Sequence, residues 1–203
     1  MADPVSESIS QPPPAPINLT AILNTFGQIE VNWQAASTTT VSYRLYRTTY
    51  SIVSVSGLSY RPAAPPFVET PATDAIFHYV VTGLDAVGNV SAPSAEVVIL
   101  YNQGVPSISV AGVNDGGYFN GNVSPTFFVA DVSLDTTSIR AFLDGVSFVS
   151  GSLVSDEGPH TLVVRAANTV GHVATSTTVF TIDKTPPQIS FSVAQGASIV
   201  STS

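Results

Sequence analysis

YVVTGLDAVGNVSAPS, residues 79–94, and LVVRAANTVGHVATST, residues 162–177, are two copies of one local pattern set 83 residues apart. Each opens on an apolar run of period two, breaks at a polar turn, and resumes after Val-Gly-x-Val. Period two puts alternate side chains on opposite faces of a strand. Phe77, Tyr79, Val81 and Gly83 therefore share one face, and His160, Leu162, Val164 and Ala166 share the equivalent face of the second copy. Asp85 matches Asn168, Gly88 matches Gly171, and Asn89 matches His172. A repeat of about 80 residues suits a seven-stranded β-sandwich. Solenoid coils repeat every ~20–45 residues.

The rest of the chain reads the same way. In the first repeat, INLTAIL, QIEVNW, VSYRLYRTT, PFVET, IFHYVVTGLD and SAEVVILY are apolar, β-branched runs. In the second, SISVAGV, PTFFVAD, SIRAFLDG, VSFVSGSLV, PHTLVVRAAN and TTVFTID share the same plan. Gly, Pro, Asn and Asp separate them, as expected of short strands joined by turns. No stretch carries a convincing amphipathic-helix period. The fold class predicted is all-β, two tandem sandwiches joined by the short linker LYNQGVPSIS. The expected organisation is a disordered leader over 1–11, one sandwich over 12–102, a second over 103–185, and a tail over 186–203. PPQISF in that tail echoes VPSISV 81 residues earlier, so the tail reads as the first strand of a third repeat. Trp33, Tyr79 and Val81 are the expected core of the first sandwich, and Phe128, Leu143, Leu162 and Val164 that of the second.

Only 10% of the 203 residues are charged, the net charge is −8 and there is no cysteine. A nucleic-acid binder needs a basic face for phosphates, which an acidic chain lacks. Thiolate metal sites and disulfides are excluded. No apolar run reaches the ~20 residues of a spanning helix, so no membrane insertion is expected. Of three histidines, His78 falls on an outer face, His160 on the core face where a corner hydrogen bond is its expected role, and His172 in a turn. No Gly-x-Ser-x-Gly elbow is present. The chain is expected to be non-catalytic, with no certain cofactor.

Two kinds of site are candidates. Calcium takes several oxygen ligands, and Asp115 in VNDGG, Asp131, and Asp183 beside a junction are the candidate ligands. Asp in a β-turn also caps backbone, which is the competing role for each. Tyr118 and Phe119 in GGYFNG, read as a loop, are the candidate aromatics for stacking on a glycan; the alternative is that they plug a core end.

The first repeat resembles a bacterial fibronectin type III domain. The residues that carry this are the proline-led entry, Trp33, YRLYR and FHYVVTGLDAVGNVSAPS. The family's corner tyrosine corresponds to Phe77, which has no hydroxyl. The second repeat resembles the bacterial Ig-like domains of long surface proteins, through FLDGVSFVSG, EGPHTLVVRAANTVGHV and FTIDKTPPQI. The resemblance implies a structural or spacer pair in a multi-domain secreted or cell-surface protein, with neighbouring domains as partners and a part in adhesion. The alternatives are a glycan- or protein-binding module using its end loops, and an accessory module of a carbohydrate-active enzyme.

Overall fold

The computed structural model describes residues 11–189. Most of the leader and the tail from residue 190 lie outside them. The described chain is all-β, with fourteen strands in two compact units. Among the described residues, the first unit holds 11–106 together with 130–135 and 168–172; the second holds 107–129, 136–167 and 173–189.

In the first unit, β1 (Ile17–Leu23), β2 (Ile29–Gln34) and β5 (Phe67–Glu69) form one antiparallel sheet. β4 (Arg61–Ala63), β3 (Ser42–Thr48), β6 (Ala75–Leu84) and β7 (Val97–Tyr101) form the other, in that order. The inward rows meet as predicted. Ile29, Val31 and Trp33 from β2 pack with Leu45, Phe77, Tyr79, Val81 and Tyr101 from the facing sheet. Trp33 takes Tyr43 edge-on at 5.5 Å. Gly83 is needed where it stands: a Cβ there would lie 2.8 Å from Thr40 Cγ2. Phe77, lacking the corner hydroxyl, has the Arg47 guanidinium 4.8 Å over its ring.

The second unit is built on β8 (Ser107–Ala111) and β10 (Thr126–Ala130), which pair, and on a five-stranded sheet. That sheet runs β12 (Val146–Ser147), β11 (Leu134–Leu143), β13 (Gly158–Asn168), β14 (Val173–Ile182) and β9 (Gly117–Phe119). β9 joins β14 in parallel, with Phe180 opposite Gly117 and Ile182 opposite Phe119. Leu162, Val164, Ala166, Phe180 and Ile182 are its most buried apolar residues.

The two quoted stretches make the same turn. Asp85 N donates to Asn89 O at 3.1 Å, and Asn168 N to His172 O at 3.0 Å. Asp85 Oδ1 accepts Asn89 N at 2.9 Å, and Asn168 Oδ1 accepts His172 N at 2.8 Å. Gly88 and Gly171 supply the left-handed residue, at φ 92° and 95°. Past the turn the two copies diverge. In the second, ten rungs join β13 to β14 without interruption. In the first, Pro93 cannot donate to a ladder. There the Ser91 and Ser94 hydroxyls accept the Gly83 and Val81 amides, and β7 starts only at Val97.

Three expectations are corrected. Phe128 is 69% exposed and Val129 takes the inward place; the pair Phe127-Phe128 offers an aromatic in either phase. Tyr118 and Phe119 belong to strand β9, not a loop. VSFVSGSLV contributes only the two residues of β12, which closes on β11 through Asp144 and Gly145, both at positive φ. Such a pair suits the two-residue hairpin of type I′.

Candidate functional site

β5 is three residues long and comes directly after Pro65 and Pro66. Its alternation turns Phe67 inward, Val68 out and Glu69 inward again, so the Glu69 carboxylate is carried between the sheets and is only 8% exposed. A carboxylate there needs partners, because desolvation costs several kcal/mol. Three donors meet it. Arg47 Nη1 lies 2.7 Å and Arg61 Nη1 2.6 Å from Oε2. The Tyr79 hydroxyl donates to Oε1 at 2.6 Å. Sheet register explains the meeting: Arg47 stands opposite Tyr79, and Arg61 opposite Leu45, both on inward rows. Burial, and next the Glu69 carboxylate, push the Tyr79 phenol far above its ordinary value. Tyr79 is thus a fixed donor. Beside the cluster lies a cavity of about 270 Å³ lined by Leu45, Arg47, Ser59, Tyr60, Arg61 and Glu69.

A second cluster, also within the first unit, centres on Asp131. Its Oδ1 accepts from Asn102 Nδ2 at 2.7 Å and from the Ser133 amide at 2.8 Å, and its Oδ2 from Asn168 Nδ2 at 3.2 Å. Burial works to raise its pKa, but the bonds from Ser133, Asn168 and Asn102 outweigh it and hold the group below the ordinary value. The Gly104 carbonyl accepts from Asn168 Nδ2 and faces His172 Nδ1 at 2.7 Å.

The third, in the second unit, is built on His160. Its Nδ1 faces Asp144 Oδ2 at 2.8 Å and its Nε2 faces the Asp156 carbonyl at 2.9 Å. Both partners are acceptors, so the doubly protonated ring satisfies both and the neutral ring only one. Burial lowers the His160 pKa, but Asp144 and the Asp156 carbonyl more than reverse this, and the net shift is upward. The ring lies 5.3 Å from that of Phe180.

The aspartates read as calcium candidates sit apart in function. Asp131 meets donors, as above. Asp115 Oδ1 accepts the Val179 amide at 2.9 Å and so extends the edge of β14. Asp183 Oδ1 accepts the Thr185 amide at 3.0 Å. Among the described residues, no group of three or more His, Cys, Asp or Glu stands where it could hold a metal. Tyr118, Phe119 and Asp183 are brought together, with Asn120, around an open recess of about 510 Å³. Tyr118 is 79% exposed, while Phe119 turns its ring edge toward Phe180 at 6.1 Å.

Sequence reading misses Glu69, Arg47 and Arg61. The available signal is a charged residue in the inward phase of a strand, two places after Phe67.

No protein-family model matches the chain, and no curated sequence does. Among solved structures, an Fn3-like protein from Clostridium thermocellum is similar at 28% identity, over 45% of this chain and 95% of that one, with a TM-score of 0.34. The chicken CNTN1 FN1-FN3 domains are similar at 14% identity, over 85% of this chain and 67% of theirs, with a TM-score of 0.44. The fibronectin(III)-like modules of Clostridium thermocellum CbhA are similar at 16% identity, over 76% and 85%, with a TM-score of 0.30.

Proposed function

We propose that this pair of sandwiches is a non-catalytic structural module of a multi-domain secreted or cell-surface protein, spacing and presenting neighbouring domains. The observation that carries the reading is the parallel pairing of β9 with β14. β9 lies near the start of the second unit and β14 at its end. Tension between those ends pulls two parallel strands in opposite directions along their axes. Their hydrogen bonds are then loaded together in shear, which suits a segment that carries load. The charged clusters fit this role, since their bonds hold the fold.

Force spectroscopy tests it. The chain has no cysteine, so the Cys pair Ser107→Cys/Thr185→Cys attaches handles at the ends of the second unit. Asp156→Cys/Thr185→Cys instead loads the β13–β14 ladder from its Gly158–Ile182 rung, one rung at a time. The end-to-end pair should need the larger unfolding force. Equal or smaller force in that geometry overturns the proposal.

A second reading, a glycan-binding module, draws on the recess where exposed Tyr118 stands with Asn120 and Asp183. A panel of soluble oligosaccharides that shifts the Tyr118 ring resonances saturably, and no longer does so in Asn120→Ala, favours it.

A further inference from the structure

The basic residues of this acidic chain are few, and they gather. It has six Lys and Arg against fourteen Asp and Glu. Arg44, Arg47 and Arg61 lie on the neighbouring strands β3 and β4. Arg44 sits 4.4 Å over the Tyr60 ring, which also meets Tyr46 at 5.8 Å. Tyr60 is thereby held from two sides, next to the two arginines on Glu69.

Arg61 is under-used. A guanidinium carries five N–H donors in a planar fork. Arg47 and Arg61 both place Nη1 on the same oxygen, Glu69 Oε2. Arg47 also reaches the Tyr79 hydroxyl and lies over the Phe77 ring, whereas Arg61 makes no other hydrogen bond among the described residues. Both oxygens of Glu69 are already engaged, Oε1 by Tyr79. Two cations against one anion leave one positive charge uncompensated. It stands beside the cavity of about 270 Å³, where the buried Leu45 supplies an apolar wall. Arg61, with a side chain 53% exposed, is open to an incoming group.

We infer that this cavity binds a small organic monocarboxylate. Its carboxylate accepts the unspent N–H groups of Arg61, with the Arg47 charge beside it, and its apolar body lies against Leu45. Planar forks favour a carboxylate through paired hydrogen bonds. A single excess charge matches a monoanion, whereas a dianion would also face Glu69. The volume lies just below the range of ~300–1,000 Å³ usual for ligand pockets. That suits one small molecule and excludes a run of sugar rings or a peptide. The surrounding chain, at net charge −8, gives no general attraction for anions, so a response to one reports this site.

The test is an NMR titration of the whole chain with benzoate, and separately with inorganic phosphate, tracking the Ser59, Tyr60 and Arg61 amides and the Arg61 Nε–H. Benzoate should produce saturable shifts there, and phosphate weaker ones. Arg61→Gln should weaken benzoate by about tenfold or more, the effect of losing charged hydrogen bonds, in a chain that still shows a cooperative Trp33 melting transition above the titration temperature. Arg61→Lys keeps the charge but not the fork, and should also weaken it. The inference is overturned if benzoate gives no saturable shift, if Arg61→Gln and Arg61→Lys bind as the parent does, or if phosphate binds as tightly as benzoate.

Discussion

Tyr79→Phe removes one oxygen atom and nothing else. That oxygen donates to Glu69 at 2.6 Å, in a residue with no solvent exposure. A buried hydrogen bond to a charged group contributes about 1.5–3 kcal/mol. Two arginines remain on Glu69, so the carboxylate is not orphaned and the lower figure applies. For a unit of this size, each kcal/mol moves the melting point by roughly 4–8 °C. Tyr79→Phe should therefore lower the melting point of the first unit by about 6–12 °C. The assay reads that unit alone, because the only tryptophan, Trp33, lies in the same core cluster as Tyr79. Tyr43→Phe is the control. Its ring also contacts Trp33, but its hydroxyl makes no hydrogen bond among the described residues. That variant should melt as the parent does. If the two variants lower the melting point equally, the Tyr79–Glu69 bond contributes nothing and the account of the cluster fails.

The second unit should show a pH signature. His160 has its pKa raised by folding, so its contribution is fully present below the ordinary 6.5 and is lost as pH climbs through the folded value. Asp144 has its pKa lowered, so its contribution is present above 3.8 and is lost as pH falls through the folded value. Calorimetry should find the second unit most stable between those limits, with a decline on the alkaline side that His160→Gln abolishes; a decline that persists in the variant excludes His160 as its source. Gly83→Ala should destabilise the first unit by about 1–3 kcal/mol through overpacking, because the new methyl would meet Thr40 Cγ2. Thr40→Ser removes that methyl and should restore most of the loss in a urea melt; without rescue, the contact is not the cause.

The sandwiches are legible because burial writes period two into a strand, and Ile29, Val31 and Trp33 show it plainly. The paired turns are legible because Asp85 and Asn168 cap the same amides from the same position. Phe128 misleads because two adjacent aromatics carry no phase. β9 escapes notice because three residues, one of them glycine, are too short to show a period; only its partner β14 makes it a strand. The Glu69 cluster is hidden for a different reason. Its four members come from four strands, β3, β4, β5 and β6; register aligns three of them, and the packing of the facing sheet brings Glu69 to them. Local spacing holds no record of such a meeting.

The parallel β9–β14 contact also orders the folding reaction. β13 and β14 are joined by a four-residue turn and can zip from Ala167 and Val173 outward. β9 meets β14 across a loop of about sixty residues, and closing such a loop costs chain entropy before any contact is gained. The hairpin forms first and β9 docks last. Pulse-labelled hydrogen exchange should then protect the amides of Leu162 and Val164 before that of Val179, which waits for Asp115 to reach it. Until then the outer edge of β14 has no partner strand, and an unpaired edge is a template for another chain. That interval is when the second unit is most exposed to aggregation.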